Sequence, residues 1–405
     1  MRFRLYFQGK KSPSAGHYHN TYIIPVSVVF MKLKDNFFQK KAMSIQESIA
    51  EQDIHALVLF DPSNIAYVTG FFHLQTERPL AAVIPQEGDP LLLIPLLEKD
   101  HVPSHVNIET YFDYPGEINR IKWIKSHLKS LNFTKIGIES NIPLFTYDIL
   151  NTLTVIRMDL LSAMRLIKEP EEIALISKAA EYADFAVKRA VHHCEEGISE
   201  FEINEKTRMD VSERMLQELE EIVPVQGGLC GGLVCSGENG ALPHAMPSSK
   251  KVKKGEAIIL SFGATVGGYH AESERTAFLG TPTARHRKAF ETMASAQDRG
   301  GAALREGARC CDVNESCLEV IQGGEFELYL RHRMGHGIGL QGHEPPWLDE
   351  GDTTTLKTGM TVSNEPGIYI PGFAGFRHSD TLVVTRSGSR SLTTYPKDLD
   401  SLIIS

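Results

Sequence analysis

The chain has 405 residues, 42% hydrophobic and 23% charged, enough to build two domains with substantial cores. Its formal net charge of −9 leaves no cationic excess to neutralise phosphates, which argues against a nucleic-acid partner and favours a small or cationic ligand. The 33 glycines and 20 prolines point to many turns rather than to disorder.

Residues 1–31 read as a tag-like or extension segment. "LYFQGK" at Leu5 to Lys10 resembles a tag protease site, and "SPSAGHYHN" is loop-like. The apolar run from Thr21 to Met31 is too short to span a bilayer and is broken by Pro25, so no membrane span is expected. Six cysteines lie scattered without paired metal spacing and no secretory cleavage pattern is evident, so a cytoplasmic location is expected. From Lys32 the pattern turns globular: a helical stretch to about Glu51, the strand "HALVLF", and a turn at "DPSN". The strand-like runs "LAAVIP", "PLLLIP" and "KIGIES" follow, with the helical "INRIKWIKSHLKSL" before the last. Alternating strands and helices predict an α/β domain over residues 32–162 that carries no reactive cluster.

A second domain, residues 163–405, opens with helical spacing from Ala163 to Cys194 behind a proline in the first turn. An amphipathic helix around Phe201 to Glu221, a strand hairpin from Ala257 to Gly280, a helix from Thr283 to about Leu304 and a set of short strands make this half α+β.

Chemistry-bearing residues gather in this half: His244 in "ALPHAMP", Glu272 and Glu274 in "HAESERT", His336 and His343 in "GHGIGLQGHEPP", and Glu365, Arg377 and Asp380 further on. A single histidine of this kind is more often a hydrogen-bonded structural group than a catalyst. The glutamates say more, because residues two apart on a strand share a face. Two carboxylates on one buried face need a metal, a cationic group or a bound proton between them. Cys310 and Cys311 have no histidine motif nearby and read as packing residues.

The combination "MRLIKEPEEIALI", "GEAIILSFGATVGGYHAESERTAFLG", "GHGIGL" and "TLKTGMTVSNEPGIYIPGFAGFRHSDTLVVT" resembles the pita-bread hydrolases, the family of prolidase, aminopeptidase P, methionine aminopeptidase and creatinase. "HALVLFDPSNIAYVTGF" resembles the N-terminal domain of the creatinase and prolidase branch. The resemblance implies an α/β creatinase-type N-terminal domain followed by an α+β pita-bread catalytic domain. The five metal-ligand positions of the family's peptidases fall on Ser261, Glu272, His336, Glu365 and Ser379, two of them now neutral hydroxyls. A serine is a poor ligand for a hard divalent ion, so a dinuclear centre is not expected.

Creatinase is similar in lacking that metal set, with glutamates matching Glu274 and Glu365 and a histidine matching His244. It departs at Ser379, where it has a histidine, and at His378, where it has an acidic residue. The expectation is therefore a creatinase-like hydrolase of a metal-depleted branch, cleaving a C–N bond in a small amino-acid-derived substrate, with no cofactor favoured. His244 would act as acid and base, Glu274 and Glu365 would grip a cationic nitrogen, and His336 and His343 would donate to developing negative charge. Glu272 and Arg377 would bind substrate, Arg377 offering its fork to a carboxylate or forming a salt bridge with Glu274 or Asp380. Two alternatives stand beside this. One is a Xaa-Pro dipeptidase or aminopeptidase with one divalent ion (Mn, Zn or Co) on Glu272, His336 and Glu365; the other is a non-catalytic peptide- or protein-binding relative. The resemblance also implies a homodimer acting on a small molecule or dipeptide.

Overall fold

A computed structural model of the chain describes residues 32–112, 119–223, 225 and 227–405; the tag-like segment and its apolar run lie outside them. Six strands, β1 (Ala56–Leu59), β2 (Ala81–Pro85), β3 (Leu91–Pro95), β4 (Asn107–Tyr111), β5 (Lys135–Ile138) and β6 (Thr154–Arg157), form one sheet in the order β4-β3-β2-β1-β5-β6. β1 runs parallel to β5 and antiparallel to β2. All four residues of β1 are buried because both faces are covered. Leu57 and Leu59 share a core with Ile45 and Ile49 of α1 (Asp35–Ala50), while Ala56 and Val58 meet Ile121, Ile124 and Leu128 of a second helix, Arg120–Ser130.

The "DPSN" stretch, expected as a turn, starts a helix instead: α2 (Pro62–Thr69) has proline in its first turn, and Asp61 accepts from the amides of Ser63 and Asn64. An aspartate cap followed by proline satisfies the orphan donors of a helix start. The helices then run α3 (Arg120–Ser130), α4 (Leu144–Leu150) and α5 (Leu160–Leu166), the last leading into α6 (Pro170–His193) of the catalytic half.

In that half α6 and α7 (Glu200–Glu218) pack together, and α6 lies across the hairpin of β8 (Ala257–Val266) and β9 (Tyr269–Leu279). Before them comes β7 (Cys230–Ser236), and after them α8 (Ala284–Ala303), the helix expected from Thr283, which caps it, and α9 (Cys310–Leu318). The closing strands are β10 (Gly335–Gly337), β11 (Glu344–Leu348), β12 (Thr361–Asn364), β13 (Gly367–Ile370), β14 (Ala374–Arg377) and β15 (Ser379–Thr385). The main sheet orders as β11-β10-β12-β15-β9-β8-β7, while β13 and β14 pair separately. This is the expected α/β layer followed by an α+β catalytic half.

The turn between β8 and β9 is Gly267–Gly268, with φ of 55° and 84°. Only glycine takes such values without strain. A Cβ on Gly268 would lie 2.0 Å from the ring of Phe72, so the hairpin tip seats directly against the N-terminal half.

Candidate active site

Strand register assembles the pocket. Ser261 on β8 and Ser379 on β15 both stand opposite Glu274 on β9, so the three make one row across three strands. Glu272 lies two positions before Glu274. His336 comes from β10, Glu365 follows β12, Arg377 ends β14, and His343 directly precedes β11.

His336 is buried, and its Nδ1 lies 2.9 Å from the carbonyl of its neighbour Gly337. An Nδ1–H donating to that carbonyl presents Nε2 to the pocket, the orientation a ligating imidazole needs. Nε2 lies 3.1 Å from Glu365 Oε1 and 3.9 Å from Glu272 Oε1. The Glu365 contact falls outside hydrogen-bond geometry, so Nε2 is a buried polar atom held by charge alone. The His343 ring stands over that of His336, with centroids 3.9 Å apart. Candidate ligand atoms of His336, His343 and Glu365 all lie within 4.8 Å of one another.

The adjoining corner is occupied. Arg377 grips Glu274 with both prongs, Nε to Oε2 at 2.5 Å and Nη2 to Oε1 at 3.0 Å. Its Nη1 donates to the Pro243 carbonyl and to the Tyr369 hydroxyl, each at 3.2 Å. Ser261 Oγ also donates to Glu274, and Ser379 Oγ donates to Glu272 Oε1 at 2.8 Å. Of the alternatives for Arg377, the structure thus forms the salt bridge to Glu274 and leaves no free fork for a substrate carboxylate. Asp380 pairs with Arg275 instead, at 2.8 Å.

Electrostatics divide the site the same way. Burial pushes the Glu272 carboxyl up to about 8, with His336 opposing and the charges of Glu365 and Glu274 adding to the rise. Burial works against the His336 cation, but the carboxylates of Glu365 and Glu272 outweigh it and raise the imidazole to about 9. Burial likewise opposes the Glu365 anion, which His336 nevertheless brings down to about 2. His343, exposed at the mouth, is lowered to about 4 by partial desolvation and then by the charge of His336, which keeps it neutral and able to ligate at neutral pH. His244 stands exposed on the loop whose Pro243 carbonyl anchors to Arg377.

Two imidazoles and one carboxylate converging on one point, with a second carboxyl, Glu272, 3.9 Å from His336, are a donor set that fits one divalent ion. A second ion does not fit, because Arg377 already supplies the cation beside Glu274 and Ser261 adds no charge. His343 was expected only as a hydrogen-bond donor; the return of the chain from β10 to β11 brings it among the candidate ligand atoms, with Glu272 at the edge. The interval from His336 to His343 hinted at this, but the register break at Gly337 could not be read from it. Arg333 and Trp347, also missed, form a shelf near these residues: the guanidinium sits 4.7 Å over the indole, and Nε donates to the Gly335 carbonyl at 2.9 Å. A cavity of about 640 Å³ in the N-terminal half, bordered by Phe60, His73 and Glu139, contains none of the expected catalytic residues.

A creatinase-type N-terminal layer beside a sheet-and-helix half that carries this imidazole–carboxylate cluster defines a hydrolase of the pita-bread class. Residues 174–386, more than half the chain, match metallopeptidase family M24, and residues 43–169 match the creatinase/prolidase N-terminal domain. The chain belongs to family M24 and is a hydrolase of the creatinase/Xaa-Pro peptidase type. It is 28% identical over 372 residues to a Xaa-Pro dipeptidase of Pyrococcus horikoshii, covering 90% of this chain and 99% of that protein. An uncharacterized peptidase of Staphylococcus saprophyticus is 29% identical over 362 residues, covering 88% of this chain and all of the relative. The crystal structure of the prolidase from Pyrococcus horikoshii OT3 superposes with a TM-score of 0.78 at 27% identity, over 89% of this chain and 99% of that one. These likenesses favour the peptidase alternative over the creatinase-like main reading, and neither they nor the donor set support the expectation that no metal is favoured. No helix among the described residues is long and apolar enough to cross a membrane.

Proposed function

We propose that this protein is a Xaa-Pro-type dipeptidase that works with one divalent ion held by His336, His343 and Glu365. The observation that carries this is the convergence of those three side chains within 4.8 Å beside a corner already filled by Arg377. When bound, such an ion supplies Lewis-acid polarisation of the scissile carbonyl and a more acidic water. Glu272, oriented by Ser379, is the acid–base group: burial above all raises its carboxyl to about 8, a divalent cation beside it would favour the carboxylate, and in that form it would take the proton of the attacking water and return it to the leaving nitrogen. His244, at the mouth, donates to the carbonyl oxygen as charge develops there.

Arg333 takes the carboxylate end of the dipeptide. Trp347 pairs with His336 in register, which puts both on one face of the sheet, and Trp347 holds the guanidinium flat against its ring. The Nη groups of Arg333 hydrogen-bond no other described residue, so its fork is open where that of Arg377 is closed. The reading extends to domains at residues 32–162 and 163–405 and to a cytoplasmic homodimer. Six free cysteines suit a reducing compartment, and two-fold pairing is the commonest assembly.

Metal analysis of the purified protein, with turnover of Xaa-Pro dipeptides and of creatine before and after chelation, tests this. Expected are about one divalent ion per chain, dipeptide hydrolysis lost on chelation, and recovery with Mn²⁺, Co²⁺ or Zn²⁺. Creatine hydrolysis that persists in a chelated protein would reinstate the creatinase-like reading.

A further inference from the structure

We propose that Glu344 is a positioning residue that sets His343, and that it is held by Arg165 and Lys168 from the segment joining the N-terminal half to α6. The proposal rests on the reading of His343 as a ligand. His343 is exposed and is bounded on one side by the His336 ring, so where its imidazole stands depends on where the loop backbone places its Cα. The residue that fixes it is next in sequence. Glu344 is 3% exposed; Arg165 Nη2 donates to its Oε2 at 2.6 Å, and Lys168 Nζ makes a charge contact with Oε1 at 2.8 Å.

The loop is tied at both ends. Gln341 donates its amide to Glu344 Oε2 at 3.2 Å, and His270 donates its amide to the Gly339 carbonyl at 2.7 Å. A Cβ at Gly339 would come within 2.4 Å of Glu344 Oε1 and 2.8 Å of Lys168 Cε, so glycine there is what lets the pair meet. The connection continues into the N-terminal half. Arg165 Nη1 donates to Asn64 Oδ1 at 2.8 Å, Asn64 Nδ2 donates to Glu139 Oε1 at 2.6 Å, and Glu139 Oε2 accepts from the amide of Phe60 at 2.7 Å. An unbroken hydrogen-bonded path thus runs from the end of β1 to the residue beside His343.

Burying so many charges is a poor way to gain stability, since apolar residues of the same volume do as well or better. What the charged arrangement adds is fixed geometry at one point of the loop, and that point adjoins a ligand. Disturbing it should loosen His343 without disassembling either core.

The test compares Glu344→Gln, Arg165→Met, Arg165→Lys and the milder Lys168→Met in the full chain. Metal affinity is measured by competition with a chromophoric chelator, and folding by circular dichroism and thermal melting. Modification of His343 by diethyl pyrocarbonate is followed by mass spectrometry on metal-free protein. Expected are folded Glu344→Gln and Arg165→Met proteins with affinity weakened roughly 10–100-fold, faster modification of His343, and partial rescue in Arg165→Lys. Lower melting temperatures with unchanged affinity and unchanged His343 modification would reduce Glu344 to a structural ion pair and overturn the proposal. Should Glu344→Gln and Arg165→Met fail to fold, Lys168→Met decides by the same two readouts. If the wild-type protein binds no ion, the function reading fails separately, and the modification rate alone judges the positioning role.

Discussion

Replacing Arg377 with methionine removes a cation from a pocket that cannot hydrate what is left behind. Both side chains of the Arg377–Glu274 pair are only 6% exposed. Truncating one member of a buried, bidentate pair costs about 3–5 kcal/mol, because the partner's charge remains desolvated. Glu274 would keep the Ser261 hydroxyl but no cation. Arg377→Met is therefore expected to destabilise the catalytic half by about 3–5 kcal/mol, and Glu274→Leu in the same chain to restore part of that, with a coupling energy of about 2–3 kcal/mol. The chain contains two tryptophans, Trp123 in α3 and Trp347 beside β10. In a Trp123→Phe background the fluorescence of Trp347 reports the catalytic half alone during urea unfolding, where the midpoint should fall by about 1–2 M. A loss under about 1 kcal/mol, the worth of a surface ion pair, would show that the corner is solvated and refute its assignment as a built-in replacement for a second ion.

The substrate shelf predicts that Arg333→Met raises KM for Xaa-Pro dipeptides roughly 10–100-fold with a smaller change in kcat; wild-type enzyme that cleaves dipeptides and their C-terminal amides equally well would remove the role. His378 provides a pH test. It is fully buried, edge-on to Phe290, and neither ring nitrogen bonds a described residue. Burial, and then the charges of Arg275 and Lys397, hold its pKa well below 6.5. The unfolded chain therefore binds a proton that the folded one refuses, so stability is complete above about 6.5 and falls below it by up to about 1.4 kcal/mol per pH unit. His378→Leu should lack that component, and its advantage over wild type should grow on acidification; parallel stability–pH curves would contradict this.

Much of the fold could be read along the chain, since the helix and strand periods and the glycine turn at 267–268 are local signals. The shared face of Glu272 and Glu274 followed from strand geometry, and Ser261 with Ser379 drew attention to the corner where Arg377 meets Glu274. What the sequence left open or missed was long-range. Arg377 closes on Glu274 because β9, β14 and β15 meet, and no spacing along the chain declares that its fork is taken. The expectation that no metal is favoured weighed Ser261 and Ser379 but not the place of His343 among the candidate ligand atoms, which it reaches only through the return from β10 to β11. Arg333 and Trp347 are ordinary residues in the sequence and become a shelf only when stacked.

The contact of Gly268 with Phe72 has a practical consequence for engineering. The two lobes meet there like a peg in a socket, and one added carbon would have to push the Phe72 ring aside. An epitope or linker grafted at this tip would wedge the lobes apart. A chimera that borrows its first lobe from a relative has to bring a ring of the same reach, or the peg is left without a seat.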